Sequence, residues 1–212
     1  KSRKVMGMDI SVDDSFGERV NDSDRKGILD QINTAYNQTL TGSIIRHMHP
    51  DTLKSLKDMG YEVIVYFYNP NIYPKSEYIK RLEAQKTLCA YYNVELIIGD
   101  YDTENFYTVA KGLENEPEKG KRCDKCFYLR LRKTAQLAKE LEIKEFTTSI
   151  VISPHKNFQK LTDIGEIIAK DFQLTYIAVD FKKKDGFLKT NKISKELNLY
   201  RQNYCGCKFS LR

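Results

Sequence analysis

Between Tyr61 and Phe181 short continuous apolar runs alternate with longer stretches whose apolar residues recur every three or four positions. "YEVIVYFY" at 61–68 is too continuously apolar for a solvent-facing edge and predicts a strand buried on both faces. "VELIIGD" at 94–100, "KEFTTSIVISP" at 144–154 and "LTYIAVDF" at 174–181 predict three more strands. Between them lie helical patterns. "PDTLKSLKDMG" sets Leu53 and Leu56 at helical spacing, with Gly60 after the end. "KSEYIKRLEAQKTLCAYYN" predicts a helix capped by Ser76, with Tyr78, Leu82, Leu88 and Cys89 toward one side. "TENFYTVAKGL" predicts a short helix. "CDKCFYLRLRKTAQLAKELEI" predicts a long one with Phe127, Leu131, Ala135, Ala138 and Leu141 on one stripe. "NFQKLTDIGEIIAKDF" at 157–172 predicts another, and a basic loop, a short helix and a tail close the chain.

Strands alternating with helices predict an α/β fold, a parallel sheet flanked by helices with right-handed crossovers. Ligands then collect beyond the carboxyl ends of the strands. Three stretches fall there: Asn69 to Pro74, Gly99 to Tyr101, and Ser153 to Lys156. Residues 1–43 are polar and weakly periodic, and read as a flexible extension or short helix. Residues 44–212 read as a single α/β domain of the catalytic type ending in a Cys-x-Cys tail.

Composition narrows the class. Apolar residues make 41% and charged residues 30% of the 212, which excludes a disordered chain. No apolar run approaches the roughly 18 residues that span a bilayer, so no membrane partner is expected and the cytoplasm is the expected location. A net charge of +6 is compatible with a phosphate-rich partner without requiring one.

The cysteines change the picture most. There are five: Cys89, then Cys123 and Cys126, then Cys205 and Cys207. Two close pairs and one single residue point to site chemistry rather than a disulfide framework. Cys123 and Cys126 open a helix on one face, where the helix dipole and Lys121, Arg122 and Lys125 favour the thiolate. Such a pair serves as a zinc half-site, an iron–sulfur half-site or a redox dithiol, and the spacing alone does not choose. Gly206 allows the tight turn that Cys205 and Cys207 need either to clamp a metal or to close into a strained, exchangeable disulfide. Together the pairs supply four ligands, enough for a structural zinc ion in a non-catalytic, RNA-binding protein. Cys89 sits on an apolar helix face and reads as core. His47 and His49 flank Met48 as a possible metal-binding pair, and His155 with Lys156 follows a strand end.

Five segments in order resemble the QueH-type epoxyqueuosine reductases: "YFYNPNIYPKSEYIKR" at 66–81, "RCDKCFYLRLRKTAQLA" at 122–138, "FTTSIVISPHKN" at 146–157, "DFKKKDG" at 180–186 and "SKELNLYRQNYCGCKFS" at 194–210. The resemblance covers about residues 44–210. It implies a fold like the adenine-nucleotide alpha-hydrolase and PP-loop enzymes, and reduction of epoxyqueuosine at the tRNA wobble position to queuosine. It implies a [4Fe–4S] cluster held partly by Cys123 and Cys126, an additional iron or zinc ion nearby, and a redox-active pair at Cys205 and Cys207. The partners implied are tRNA carrying epoxyqueuosine in its anticodon loop and an electron donor, with the protein as a monomer. Where the family carries an N-terminal Cys-Cys pair, this chain reads "SIIRHMHPDTLKSL". Three explanations stay open there: His47 and His49 stand in as metal ligands, Cys205 and Cys207 complete the cluster in place of a redox pair, or the chain is a diverged, inactive or incompletely represented relative.

Epoxide reduction needs two electrons, which a dithiol can store, and an acid for the departing oxygen. Asp124, Tyr68 and His155 are the candidate acids. Asn69, Asn71 and Tyr73 are expected to shape the substrate pocket. Lys156, Lys182, Lys183, Lys184 and Arg201 are expected to meet tRNA phosphates.

Overall fold

The computed structural model describes residues 3–5, 8–10, 39–43, 56, 58, 60–152, 157–179 and 192–211. The chain divides into two units, Lys1–Gln38 and Thr39–Arg212. In the first, β1 (Arg3–Val5) pairs antiparallel with β2 (Met8–Ile10).

The second unit carries a five-stranded sheet in the order β5-β4-β3-β6-β7. Its strands are β3 (Thr39–Ser43), β4 (Glu62–Phe67), β5 (Glu95–Ile98), β6 (Glu145–Thr148) and β7 (Thr175–Tyr176). Every pairing is parallel. The chain enters at the central strand β3, runs outward through β4 to β5, then returns to the other side for β6 and β7. That reversal places a crevice at the carboxyl ends of β3, β4 and β6. β3 lies ahead of residue 44, inside the stretch whose polar character predicted no sheet.

Among the described residues, the helices between the strands include α1 (Lys75–Tyr92), α2 (Thr103–Ala110), α3 (Lys121–Glu140) and α4 (Phe158–Phe172). In β4, Val63, Val65, Tyr66 and Phe67 are all buried, as a continuous apolar run requires of an internal strand. At the edge strand β5, Ile98 is exposed. The main core joins Val63 and Val65 to Leu131, Ala135 and Ala138 of α3, Phe146 of β6 and Leu161 and Ile168 of α4.

Local chemistry fixes the helix ends. Asp102 caps α2 by accepting from the Asn105 amide (3.3 Å), and Asn157 caps α4 by accepting from the Lys160 amide (3.1 Å). α1 has no side-chain cap: extended Pro74 precedes it and Ser76 lies inside the first turn. Leu141 ends the α3 stripe exposed, because the helix stops at Glu140 before that position turns inward. The strand expected in 144–154, running into a loop, stops at Thr148, and Ser149–Ile152 coil into a 3-10 turn in which the Thr148 hydroxyl oxygen accepts from the Ile150 amide (3.4 Å). Among the described residues no helix is long and apolar enough to cross a membrane.

Candidate active site

β4 ends in a buried loop. Tyr68, Asn69, Asn71 and Ile72 are each 2% exposed or less, and Tyr73 then emerges to the surface. The first two turns of α3 face this loop. Cys123, Cys126 and Arg130 recur at three- and four-residue spacing along α3 and are all buried. Arg130 donates from Nε to the Tyr68 carbonyl (3.4 Å) and from Nη2 to Asn69 Oδ1. Arg122 donates from Nη1 to the carbonyls of Leu113 (3.0 Å), Glu114 (2.9 Å) and Glu116 (2.5 Å), tying the charged loop before α3 to its first turn.

The C-terminal tail crosses the same end of the sheet. The Tyr73 amide donates to the Gly206 carbonyl (2.7 Å), and the Tyr204 hydroxyl donates to the Tyr73 carbonyl. Cys207 packs with Cys126, Phe106 and Ala110. Phe209 lies against Phe106 and Tyr107, under the Arg122 guanidinium (5.0 Å). A small cavity results, lined by Cys123, Cys126, Cys205 and Cys207 with Asn71, Arg122, Arg130, Phe106 and Phe127. The two cysteine pairs, far apart in sequence, are thus brought together. Among the described residues, Asn71 Oδ1 and Arg122 Nε are buried there without a hydrogen-bond partner.

All five cysteines are free thiols. The metal and cluster expected from the cysteine pairs and from the family resemblance are corrected by their geometry. Among the described residues no group of three or more His, Cys, Asp or Glu side chains could hold a metal ion. Cys123 packs into the main core beside Phe127 and its sulfur accepts from the Lys119 amide (3.3 Å), whereas Cys126 and Cys207 belong to the separate Phe106 cluster. The four thiols border one cavity, but no three ligands among the described residues are grouped to hold a metal, which argues against the [4Fe–4S] cluster, the additional iron ion and the zinc.

The thiolate expected at Cys126 is also corrected. Burial pushes its pKa up, and the opposing pull of Arg130 is the smaller effect. Cys89 is core as expected: burial raises its thiol, and Gln85 Nε2 donates to its sulfur (3.2 Å).

The remaining candidates scatter around this centre. Tyr68 is buried, its pKa raised by that burial, and its hydroxyl lies by Asn105 without a hydrogen bond of good geometry. Asp124 faces α4, paired with Lys160 (3.0 Å). Asn69 is engaged by Arg130, Asn71 lines the cavity, and Tyr73 is exposed beneath the Lys208 ammonium (5.9 Å). Arg201 is exposed on the tail. His47, His49, His155, Lys156, Lys182, Lys183 and Lys184 lie outside the described residues. Sequence reasoning missed the buried charges Glu77, Arg81, Arg122 and Arg130. Their signal was present: each is a charged residue at an apolar-face position of its helix.

A parallel α/β sheet with thiols and buried arginines gathered beyond its strand ends defines a thiol-bearing α/β protein. The same fold occurs in the U34-tRNA thiolase NcsA from Methanococcus maripaludis, at 12% identity and a TM-score of 0.53, covering 89% of this chain and 68% of that one. The family of epoxyqueuosine reductase QueH matches residues 49–212. The chain is 39% identical over 163 residues to the QueH of Acinetobacter baylyi, covering 76% of this chain and 75% of that protein. It is 35% identical over 175 residues to the QueH of Thermotoga maritima, covering 80% and 91%. Against the QueH of Helicobacter pylori it is 41% identical over 167 residues but spans only 45% of that protein's length. The chain belongs to the QueH family of oxidoreductases.

Proposed function

We propose that this chain reduces epoxyqueuosine in tRNA to queuosine, with Cys205 and Cys207 as its two-electron source. The observation that carries this reading is the exposure pattern of the thiols. Of the five cysteines only Cys205 is not buried, and it shares the cavity wall with Cys207 one glycine away. The balance closes: the epoxide loses its oxygen as water and becomes an alkene, while two thiols lose two electrons and two protons and form a disulfide. A low-potential thiol reductant, acting as electron donor, returns the disulfide to the dithiol. Tyr68 and Asp124 are the proposed proton sources, Asn69, Asn71 and Tyr73 the proposed substrate contacts, and Arg201 a phosphate contact. The substrate is tRNA with epoxyqueuosine in its anticodon loop, met by a monomer in the cytoplasm. The proposed architecture is that of the PP-loop and adenine-nucleotide alpha-hydrolase enzymes, supported by the likeness to a tRNA thiolase fold.

Single turnover tests this. The reduced protein, freed of reductant, is mixed anaerobically with epoxyqueuosine-containing tRNA, and the nucleosides are weighed by mass spectrometry. The expected result is conversion to queuosine, stoichiometric with protein and accompanied by a Cys205–Cys207 disulfide. Cys205→Ser and Cys207→Ser are each expected to abolish it. Conversion by either serine variant at the normal rate refutes the dithiol role. No conversion, under conditions where the Thermotoga maritima relative converts, refutes the activity.

A further inference from the structure

We propose that Glu77, Arg81 and Tyr200 form a positioning clamp that sets the Cys205–Gly206–Cys207 turn, leaving Cys205 accessible and Cys207 shielded. The proposal rests on the reading of these cysteines as the reacting pair. Glu77 and Arg81 lie four residues apart on α1, and Arg81 Nη2 and Nε meet Glu77 Oε1 at 2.6 and 2.7 Å. Arg81 is fully buried and Glu77 is 6% exposed. Removing such a pair from water costs more than its mutual attraction returns unless its other donors and acceptors are also satisfied.

The tail satisfies them. Arg81 donates from Nη1 to the Cys205 carbonyl (3.3 Å) and from Nη2 to the Tyr204 carbonyl (3.4 Å). The Tyr204 ring stacks 5.2 Å from the guanidinium carbon. The second Glu77 oxygen accepts from the Tyr200 hydroxyl (2.7 Å). With the Gly206 carbonyl held by the Tyr73 amide, three consecutive carbonyls at 204–206 are fixed. Those bonds constrain the backbone dihedrals on either side of Cys205. The segment from 199 to 207 has no helix or strand of its own to do so. A buried ion pair serving only α1 would not direct its outer atoms at residues more than a hundred positions away. Arginine suits the role because its planar fork reaches two carbonyls at once, which a lysine ammonium does not do in a fixed geometry.

Timed alkylation of the full-length reduced protein with N-ethylmaleimide, read by peptide mass spectrometry, tests the clamp. Cys89, buried in the main core at the far part of α1, is the internal control. In the unaltered protein Cys205 should react at least about tenfold faster than Cys207, as its exposure implies. In Arg81→Lys the Cys207 rate should rise about tenfold or more, with the Cys89 rate unchanged; one hydrogen bond to a charged group corresponds to about that factor. Tyr200→Phe should give the same change at smaller size, and decides the matter if Arg81→Lys does not fold. Unchanged Cys207 in the folded variants overturns the clamp. So does a parallel rise of Cys207 and Cys89, which would mark general loosening. These readouts do not depend on turnover. Selective release of Cys207, combined with full single turnover by Cys205→Ser, would keep the clamp and overturn the dithiol reading instead.

Discussion

Substitution of Gly206 by alanine should detach the tail while leaving the rest of the domain folded. Gly206 sits at φ +112°, outside the conformations open to L side chains. A Cβ there would lie 2.6 Å from Arg81 Nη1, 3.3 Å from Arg81 Cζ and 3.4 Å from Ile72 Cγ1. The left-handed backbone costs an alanine about 1–2 kcal/mol. Forced contact with packed atoms costs about 1–3 kcal/mol more. Arg81 cannot retreat to relieve the overlap, because it is fully buried and paired with Glu77. The sum, about 2–5 kcal/mol, falls on a segment whose backbone is held by a handful of hydrogen bonds, each worth about 1 kcal/mol. The main core includes no residue beyond Leu199, so it has little reason to respond. In Gly206→Ala, Cys207 should therefore alkylate as fast as Cys205, single turnover should fall by about a hundredfold (about 2.7 kcal/mol at 1.4 kcal/mol per decade), and the thermal midpoint should shift by only a few degrees. An alanine variant with shielded Cys207 and normal turnover would refute the argument. A large cooperative loss of stability would refute it too, by showing that the tail is integral to the core.

Two further outcomes follow from the packing and the phenols. In Gly165→Ala the new Cβ would lie 2.5–2.6 Å from the buried Tyr176 ring, so overpacking of about 1–3 kcal/mol outweighs a helix-propensity gain of about 1 kcal/mol; urea denaturation should show net destabilisation, and a stabilised variant refutes this. Tyr66, pushed up to about 12 mainly by burial, and Tyr200, pushed up to about 12 first by its hydrogen bond to Glu77, keep their protons longer folded than unfolded. Their contribution is intact below the unfolded phenol pKa of about 10 and is lost as pH rises from there to about 12. Stability should fall across that window, and Tyr200→Phe should flatten the fall; an unchanged slope refutes the Tyr200–Glu77 account.

The elements that the sequence made legible are those with a strong period. The continuous run at 61–68 is the internal strand β4, and the stripe through Phe127, Leu131, Ala135 and Ala138 is the core face of α3. β3 was illegible because "TLTGS" offers one large apolar residue, and nothing in so short a segment marks it as the centre of a sheet. β7 is shorter than its apolar run: Thr175 and Tyr176 register with Glu145 and Phe146, and Ile177 adds an amide bond to the Phe146 carbonyl (2.9 Å). The two cysteine pairs were legible as candidate site residues, and the structure brings them to one cavity, but their mutual arrangement was not legible. Counting four thiols does not say how they sit in space, and among the described residues no three ligands are grouped to hold a metal ion. Buried charges were hidden for the opposite reason: a reading that sorts residues into apolar core and polar surface treats Arg81 or Arg130 as noise on an apolar face. Their partners, backbone carbonyls of distant loops, leave no mark in sequence spacing.

The same burial divides the labour among the four cavity thiols. A thiolate, not a thiol, attacks or exchanges. Cys126 is buried deeply enough that desolvation raises its pKa despite the Arg130 guanidinium beside it. Cys123 donates its space to the main core, with its sulfur occupied by the Lys119 amide. Neither residue of the α3 pair is open to a nucleotide. Cys205 is open, and the carbonyl next to it is fixed by a permanent cation. Cys207 is buried in the cluster of Phe106, Ala110 and Cys126, with Phe209 packed against it. Under the proposed dithiol chemistry, substrate would meet the less buried Cys205 and Cys207 would resolve.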